Sequence, residues 1–292
     1  MDIKYVDRKT GEIKTETPPA EGLLNFLYNN PFGQAAILPL VKRKIVSSIY
    51  GKRMNSPASV NKIADFVASL DIDLEESEKS LSEFTSFNDF FYRKLKPEAR
   101  PIGTAFVSPG DGRLLAFETI AGVKEFFVKG EQFTLATFLN DKKLAQQYRD
   151  AALLILRLAP KDYHRFHFPY PGIPSEIQPI QGSYYSVSPY ALANNFARVF
   201  CENKRAFCVL RTKEKGNMLI APVGATMVGS IIETYQADLA VEKGAEMGYF
   251  AFGGSSIVML VDRKKLKIDA DILQNTARRL ETFVQMGERI AT

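Results

Sequence analysis

The sequence predicts an α+β protein that has a β-rich, sandwich-like or barrel-like core and a helical amino-terminal region. Its 292 residues, 46% of them hydrophobic and 24% charged, are enough to bury a substantial core and are not typical of a disordered chain. Beyond residue 97, many short apolar runs alternate with turns, and few helical segments lie between them. This order favours a sandwich or barrel over a parallel α/β sheet.

Two domains are predicted, and Pro97 and Pro101 mark the boundary between residues 1–96 and residues 97–292. The first domain is expected to be mainly helical, although it begins with a short β-like run at residues 3–6. The second is expected to be β-rich.

The amino-terminal helices carry clustered positive charge. Apolar helical segments between residues 21 and 53 are accompanied by basic clusters at 42–44 and 52–53. Such segments can lie in a membrane interface, where lysine and arginine side chains reach anionic headgroups. A helical appendage packed on the main domain, with a solvated basic face, fits the same amphipathic pattern. Further helices are expected at 61–70 and, with a serine or asparagine cap, at 86–95.

The second domain is expected to consist mostly of short strands. A turn and strand are predicted at 108–115, and further strands at 123–128, 152–158, 183–187, 207–211, 218–223 and 226–234. Helices are predicted at 134–139, 142–149 and 271–289. The last of these is indicated by Leu273, Ala277, Leu280 and Val284, which recur at three- and four-residue spacing.

Charge and cysteine content argue against nucleic-acid-binding and metal-binding proteins. The net charge of +5 is too diffuse to indicate a nucleic acid, but clustered charge would suit an anionic membrane surface. Cys201 and Cys208 have no histidine near them, so reduced thiols are favoured over a disulfide, and no metal site is expected. No apolar segment is long enough to span a bilayer, and the amino terminus lacks the form of a signal peptide.

Residues 248–261 contain two glycines and two serines between two predicted strands. The Gly-Gly-Ser-Ser sequence at 253–256 follows an aromatic-rich run and precedes the apolar run 257–261. Glycine permits a positive φ or a close backbone approach, neither of which a strand interior requires. Taken alone, this stretch predicts a β-bulge or a tight turn.

The two histidines of the chain lie close together, at His164 and His167. Pro169 follows them, so the segment is expected to be extended or to form a turn at the end of a strand. In an extended segment, a spacing of three residues directs two side chains to opposite faces, which argues against one shared metal and for two separate roles. A single histidine is more often a hydrogen-bonded, partly buried side chain, but Asp162 and Arg165 beside this pair favour catalysis.

Three motifs together resemble those of the phosphatidylserine decarboxylases. They are Ser-Pro-Gly-Asp-Gly at 108–112, Tyr-His-Arg-Phe-His at 163–167 and Phe-Gly-Gly-Ser-Ser at 252–256, and they occur in the order of that family. The resemblance extends over residues 87–289. The last motif departs from the Leu-Gly-Ser-Thr of the best-known bacterial members, because Gly253 and Ser256 replace its ends.

The resemblance implies a proenzyme that cuts itself between Gly254 and Ser255. Ser255 is then the nucleophile, His167 its base, and Asp111 the residue that orients His167. Ser255 becomes a covalent pyruvoyl cofactor, which forms a Schiff base with the amine of phosphatidylserine and accepts the electrons left by carbon dioxide. His164 returns a proton to the α-carbon, which yields phosphatidylethanolamine.

The resemblance also implies where the protein acts and what it binds. The large chain 1–254 and the small chain 255–292 remain in a non-covalent complex, and a homodimer is also considered. The lipid substrate favours a peripheral protein on an anionic membrane surface, at the cytoplasmic face of a bacterial cell membrane. The amino-terminal helices at 21–53 are then favoured as an interfacial anchor.

Two other classes of function are considered. A non-catalytic lipoyl- or biotinyl-like carrier module would share the Pro-Gly-Asp-Gly turn at 109–112, but the sequence lacks the signature of a modifiable lysine. A Ser-His-Asp hydrolase would need a Gly-x-Ser-x-Gly elbow, which does not surround Ser255.

Overall fold

The structure is a computed structural model that describes residues 3–16, 22, 26, 30, 44–120, 134–187, 199–224, 231–251 and 255–292. The predicted strand at 123–128, most of the predicted helical segments between 21 and 43, and the Phe-Gly-Gly part of the third motif lie outside these residues.

A large, mostly antiparallel sheet forms the body of the protein. Ten strands contribute to it, in the order β2-β1-β14-β4-β5-β13-β10-β9-β7, and β8 also pairs with β9. They are β1 (Ile3–Asp7), β2 (Ile13–Glu16), β4 (Gly112–Phe117), β5 (Ala151–Leu158), β7 (Ile173–Pro174), β8 (Gln178–Ile180), β9 (Arg205–Arg211), β10 (Asn217–Gly224), β13 (Ser255–Asp262) and β14 (Glu281–Val284). Within this sheet, β1 and β14 form a parallel pair. The prediction of a β-rich α+β protein is therefore confirmed, whereas closure into a sandwich or barrel stays a prediction.

The central strands are buried on both faces because their sequences are almost continuously apolar. Every residue of β5 is buried, as is every residue of β13 before Asp262. β13 lies between β5 and β10, with Ser255 opposite Leu158 on one side and Gly224 on the other. The first residue of β13 is therefore held by two neighbouring strands.

Two smaller sheets complete the β structure. β6 (Arg165–His167) pairs with β12 (Glu246–Phe250), which in turn pairs with β11 (Ile231–Glu233). β3 (Phe106–Val107) pairs with β15 (Arg289–Ala291). The histidine segment therefore lies at the edge of a three-stranded sheet, as its extended pattern predicts.

The helices before residue 97 have a hydrophobic core of their own. They are α1 (Lys44–Met54), α2 (Ile63–Leu70) and α3 (Phe87–Phe91), with a 3-10 turn over Pro57–Lys62. The core residues that they share are Met54, Ile63, Phe84, Phe87, Phe90 and Phe91. β1 and β2 also precede residue 97, but they belong to the large sheet. The division into domains at residue 96 therefore stays a prediction, and only the helical residues before it share this separate core.

Three further helices belong to the second part of the chain. α4 (Leu135–Leu139) begins at Thr134, whose hydroxyl accepts a hydrogen bond from the Thr137 amide. α5 (Lys142–Gln147) begins at Asp141 in the same way, and α6 (Ala270–Ala277) follows β13. None of the helices that the structure describes is both long and apolar enough to cross a bilayer.

The predicted helix at 271–289 is wrong beyond residue 277. The chain leaves α6 through Arg279, whose φ of 61° is left-handed, and then forms β14 and β15. In β14, Thr282 and Val284 face buried surroundings while Glu281 and Phe283 are half-buried. This alternation of period two coincides with the helical spacing of Leu280 and Val284, so the sequence pattern was compatible with both structures.

The predicted strand at 183–187 is also wrong. Of these residues, only Ser183 forms a β-bridge, with Asn203. The Asn203 side chain accepts a hydrogen bond from the Tyr185 amide at 2.7 Å and donates one to the Tyr185 carbonyl at 2.9 Å. A buried side chain thus satisfies backbone groups that a strand would have paired with a neighbour. Cys201 and Cys208 are thiols and not a disulfide, as expected.

Candidate active site

Ser255 lies at the start of β13 and is completely buried. Its Oγ is 3.3 Å from Nδ1 of His164. This is the one contact between a predicted nucleophile and an imidazole that the described residues make. A buried hydroxyl beside an imidazole nitrogen is able to act as a nucleophile once its proton is removed.

The His164 ring is fixed in one orientation by two contacts. Its Nε2 is 3.2 Å from the carbonyl oxygen of Ala159, and its ring stacks on Phe91 with 3.9 Å between centroids. Because a carbonyl oxygen only accepts hydrogen bonds, Nε2 carries the proton, and Nδ1 presents a lone pair to Ser255. Burial, and next the positive charge of Arg93, lower the pKa of His164 to about 3, so this ring is neutral near pH 7.

The amino-terminal helices supply one wall of this site. α3 begins at Ser86, whose side chain accepts a hydrogen bond from the Asp89 amide. Phe87, Phe90 and Phe91 are buried in the core of the helices, so the cap fixes the position from which Phe91 reaches His164. The helical region is therefore part of the site and not only an appendage.

His167 occupies different surroundings. Its Nδ1 donates to the carbonyl of Gly244 at 2.9 Å, which leaves the Nε2 lone pair to accept a hydrogen bond from the Tyr163 hydroxyl at 3.0 Å. Burial lowers the pKa of His167, and the charge of Arg165 acts in the same direction. The hydrogen bond to Gly244 and the carboxylates of Glu246 and Asp111 act in the opposite direction. Two neighbouring carboxylates thus partly offset the burial that disfavours the charged form of this ring.

Asp111 lies in the turn that precedes β4. Gly112 permits this position because a Cβ there would lie 2.6 Å from the carbonyl oxygen of Arg157. The Asp111 carboxylate accepts hydrogen bonds from Nε and Nη2 of Arg100, the shortest at 2.7 Å, and from the Met286 amide at 2.8 Å. Both partners hold the carboxylate in one position.

One implied contact is not made. Asp111 forms no hydrogen bond or ion pair with His167, although the resemblance implies that it orients this ring. The buried guanidinium of Arg100 instead occupies the carboxylate, because a charged, bidentate partner binds it more strongly than a neutral imidazole does. The orientation of the His167 ring comes from Gly244 and Tyr163, and Asp111 acts on it through its charge.

The predicted site residues therefore fall into two groups. Ser255 and His164 are in direct contact. The segments that carry Asp111 and His167 are joined through the backbone, because the His167 amide donates to the carbonyl of Pro109, two residues before Asp111, at 2.7 Å. Gly254 lies outside the described residues, and the roles predicted for all five residues stay predictions.

A buried ionic network supports the segment that leads to His164. Asp162 accepts hydrogen bonds from Arg113 and from the Ala159 amide, and Arg113 is completely buried. Glu16 and Glu281 pair with Arg157 close by. Removing one member of such a network would leave an uncompensated buried charge, which costs about 3–5 kcal/mol.

Three residues near the site were not predicted. Arg93 lies before the predicted domain boundary and Arg100 lies after it. Nothing local in the sequence distinguishes either residue from a solvated arginine. Tyr163 belongs to the second motif but had no assigned role. All three are buried. An aromatic run directly followed by arginine, as in Phe-Phe-Tyr-Arg at 90–93, is the one signal that could have indicated a buried cation.

Comparisons with known proteins agree in one family. The model of the family described as phosphatidylserine decarboxylase matches residues 87–292. A phosphatidylserine decarboxylase proenzyme of Fusobacterium nucleatum is 50% identical over 98% of this chain and 96% of its own length. Proenzymes of the same description from Desulfitobacterium hafniense and Clostridium botulinum are 44% and 42% identical, each over 99% of this chain and at least 97% of their own length.

Proposed function

Since this chain belongs to the phosphatidylserine decarboxylase family, we propose that it is synthesised as a proenzyme and converts phosphatidylserine to phosphatidylethanolamine and carbon dioxide. Full-length similarity to proenzymes supports the reaction, and the buried contact between Ser255 and His164 is the structural observation that carries it. The carrier-module alternative has no such support.

The surroundings of Ser255 fit a pyruvoyl group made from this residue. Ser255 is fully buried, and the neighbouring Ser256 Oγ is buried without a hydrogen-bond partner among the described residues. This leaves an unused hydroxyl next to the position of the group. A pyruvoyl ketone supplies an electrophile that condenses with the substrate amine and withdraws the electron pair left by carbon dioxide.

We assign the removal of the Ser255 proton during self-cleavage to His167. Proton transfer makes the base positively charged, and the carboxylates of Asp111 and Glu246 stabilise that charge on His167. On His164 the same charge is opposed by Arg93. The assignment requires Ser255 to exchange its contact with His164 for one with His167 before the bond between Gly254 and Ser255 is cut.

His164 is proposed to protonate the α-carbon during decarboxylation. Its ring lies against the residue from which the electrophile is made, within 3.3 Å of the Oγ atom. The stacked Phe91 and the Ala159 carbonyl keep the imidazole at this distance. A donor that is held in place in a water-poor site protonates carbon at a defined position.

The mass of the purified chains tests the proposed self-cleavage. Wild-type protein should separate on a denaturing gel into residues 1–254 and 255–292, and the small chain should have a blocked amino terminus. The Ser255→Ala variant should remain one chain of full mass. A single uncut chain in the wild type would contradict the pyruvoyl proposal.

We also propose that the amino-terminal helices dock the enzyme on the membrane that holds its substrate. α1 carries Lys52 and Arg53 in its last turn, and Ile49 on the same helix is 63% exposed. Exposed apolar side chains combined with basic residues are typical of helices in a membrane interface. The large apolar side chain of Phe26 is also exposed.

Deletion of residues 21–53 tests this docking. The truncated protein should no longer sediment with liposomes that contain anionic lipid, while self-cleavage is retained. Liposomes of neutral phosphatidylcholine are the control, because loss of anionic charge should weaken binding of the full chain as well. Sedimentation of the truncated protein at the wild-type level would show that another surface binds the membrane.

A further inference from the structure

Arg93 is a buried cation for which the protein supplies almost no partner. The residue is 7% exposed and lies two positions beyond the end of α3. Its Nη2 donates one long hydrogen bond, of 3.3 Å, to the carbonyl of Lys161. Its Nε is buried and has no hydrogen-bond partner among the described residues. Burial lowers the pKa of Arg93, and the carboxylates of Asp111 and Asp162, which act on it from beyond ion-pair distance, offset only part of that effect.

The other buried arginines are compensated. Four of them pair with carboxylates, namely Arg100, Arg113, Arg157 and Arg165, and Arg205 donates to three backbone carbonyls. Removing a guanidinium from water is costly unless hydrogen bonds or an anion replace the lost solvation. The cation–π contact of Arg93 with Phe90, 5.1 Å from the ring centroid, replaces only a small part. The uncompensated charge points to an anionic ligand that the protein itself does not provide.

Arg93 lies beside the proposed reaction centre. Its positive charge is the second cause, after burial, of the lowered pKa of His164. Phe91, two residues earlier in the chain, stacks on the His164 ring. The Lys161 carbonyl that Arg93 contacts belongs to the segment that carries His164. An anion bound by Arg93 would therefore be held next to His164 and Ser255.

We propose that Arg93 binds the phosphate of the substrate headgroup, an inference that rests on the proposed function. Phosphatidylserine carries two anionic groups, a phosphodiester and a carboxylate, and a guanidinium binds either of them. A cation paired with the departing carboxylate would stabilise the substrate more than the charge-dispersed transition state, which would slow decarboxylation. The phosphate keeps its charge throughout the reaction and is the better partner for a fixed cation.

Binding of the phosphate would also change the electrostatics of His164. A bound anion would offset the Arg93 charge that now opposes protonation of this ring. The protonated form that the α-carbon requires would then be easier to reach with substrate in place than in the empty enzyme.

The Arg93→Gln variant tests the proposal, because glutamine retains a donor for the Lys161 carbonyl but removes the charge. We expect self-cleavage to proceed normally, KM for a soluble short-chain phosphatidylserine to rise about 10- to 100-fold, and kcat to change much less. The affinity for a soluble short-chain phosphatidylethanolamine, measured by calorimetry, should fall by a similar factor, because this product retains the phosphate and lacks the carboxylate. Arg93→Lys should show a smaller rise in KM.

Arg149→Gln is the matched control, since the side chain of Arg149 is 65% exposed and pairs with Asp150 at the surface. It should match the wild type in every measurement. Unchanged affinity of Arg93→Gln for phosphatidylethanolamine would overturn the phosphate assignment; a rise in KM for phosphatidylserine alone would assign Arg93 to the carboxylate. Loss of self-cleavage in both Arg93 variants would make the residue structural and also overturn the proposal. Failure of the proposed function itself would be seen separately, as an uncut wild-type chain.

Discussion

The two histidines lie three residues apart and are both buried, but different charged groups act on them. His164 contacts Ser255 and lies near the cation Arg93. His167 does not contact Ser255, and it lies near the carboxylates of Asp111 and Glu246. By distance alone, His164 would be the base that activates Ser255.

The difference between the two histidine sites indicates that proximity to the proton and stability of the charged imidazole are separate requirements of a general base. A general base must reach the proton, and it must also hold the positive charge that the transfer creates. His164 satisfies the first requirement in this structure. His167 is better suited to the second than His164 is, because carboxylates act on it and partly offset its burial. We therefore expect the two rings to serve two steps, with His167 acting in self-cleavage and His164 in decarboxylation.

Among variants that still cleave themselves, replacing His164 should have the largest effect on decarboxylation. The His164→Ala variant is expected to cleave itself and yet to decarboxylate about 100- to 10,000-fold more slowly, the usual range for loss of a positioned proton donor. Cleavage is scored by intact mass, and decarboxylation by release of carbon dioxide from labelled phosphatidylserine. Equal loss of self-cleavage and decarboxylation in this variant would show that the two histidines do not have separate roles.

Neutralising Asp111 should slow self-cleavage alone. The Asp111→Asn variant keeps an acceptor for Arg100 and for the Met286 amide but removes the charge that supports a protonated His167. We expect the half-time of cleavage to increase by about 100-fold or more, as followed on gels after synthesis in vitro. Asp150→Asn, at an exposed position, is the control. A normal half-time with an unchanged melting temperature would rule out an electrostatic role for Asp111.

The pH dependence of stability should distinguish His164 from an ordinary surface histidine. Its folded pKa of about 3 lies below the usual 6.5, so the unfolded chain binds a proton that the folded chain does not, and stability is lost as pH falls below 6.5. Between pH 8 and pH 5 this loss is about 2 kcal/mol. Urea unfolding of Ser255→Ala and of Ser255→Ala/His164→Phe, both uncut chains, measures it. Identical pH slopes for the two proteins would contradict the burial of a neutral His164.

Much of the fold could be predicted because its signals are local. The apolar runs at 152–158 and 218–223 form central strands, and the capped aromatic helix begins at Phe87. The extended pattern around His164 and His167 likewise predicted two separate environments for the rings. Where one pattern fits two structures, as at 271–289, the local signal was not sufficient, since pairing of β14 with β1 and β4 depends on distant residues.

The sequence identified which residues belong to the site, but it did not predict which of them contact each other. Motif order identified Asp111, His164, His167 and Ser255, but the partner of Asp111 is Arg100, which belongs to none of the three motifs. Arg93 also lies outside the three motifs, and its burial depends on how the helices pack against the histidine segment. Long-range packing of charged side chains leaves no periodic pattern in a sequence.

The intact mass of the purified His167→Ala variant, read beside that of His164→Ala, tests the division of roles most directly. We expect His167→Ala to remain a single chain of 292 residues and His164→Ala to separate into residues 1–254 and 255–292. The opposite result, with His167→Ala cleaved and His164→Ala uncut, would assign the base to His164 and contradict the electrostatic distinction between the two rings.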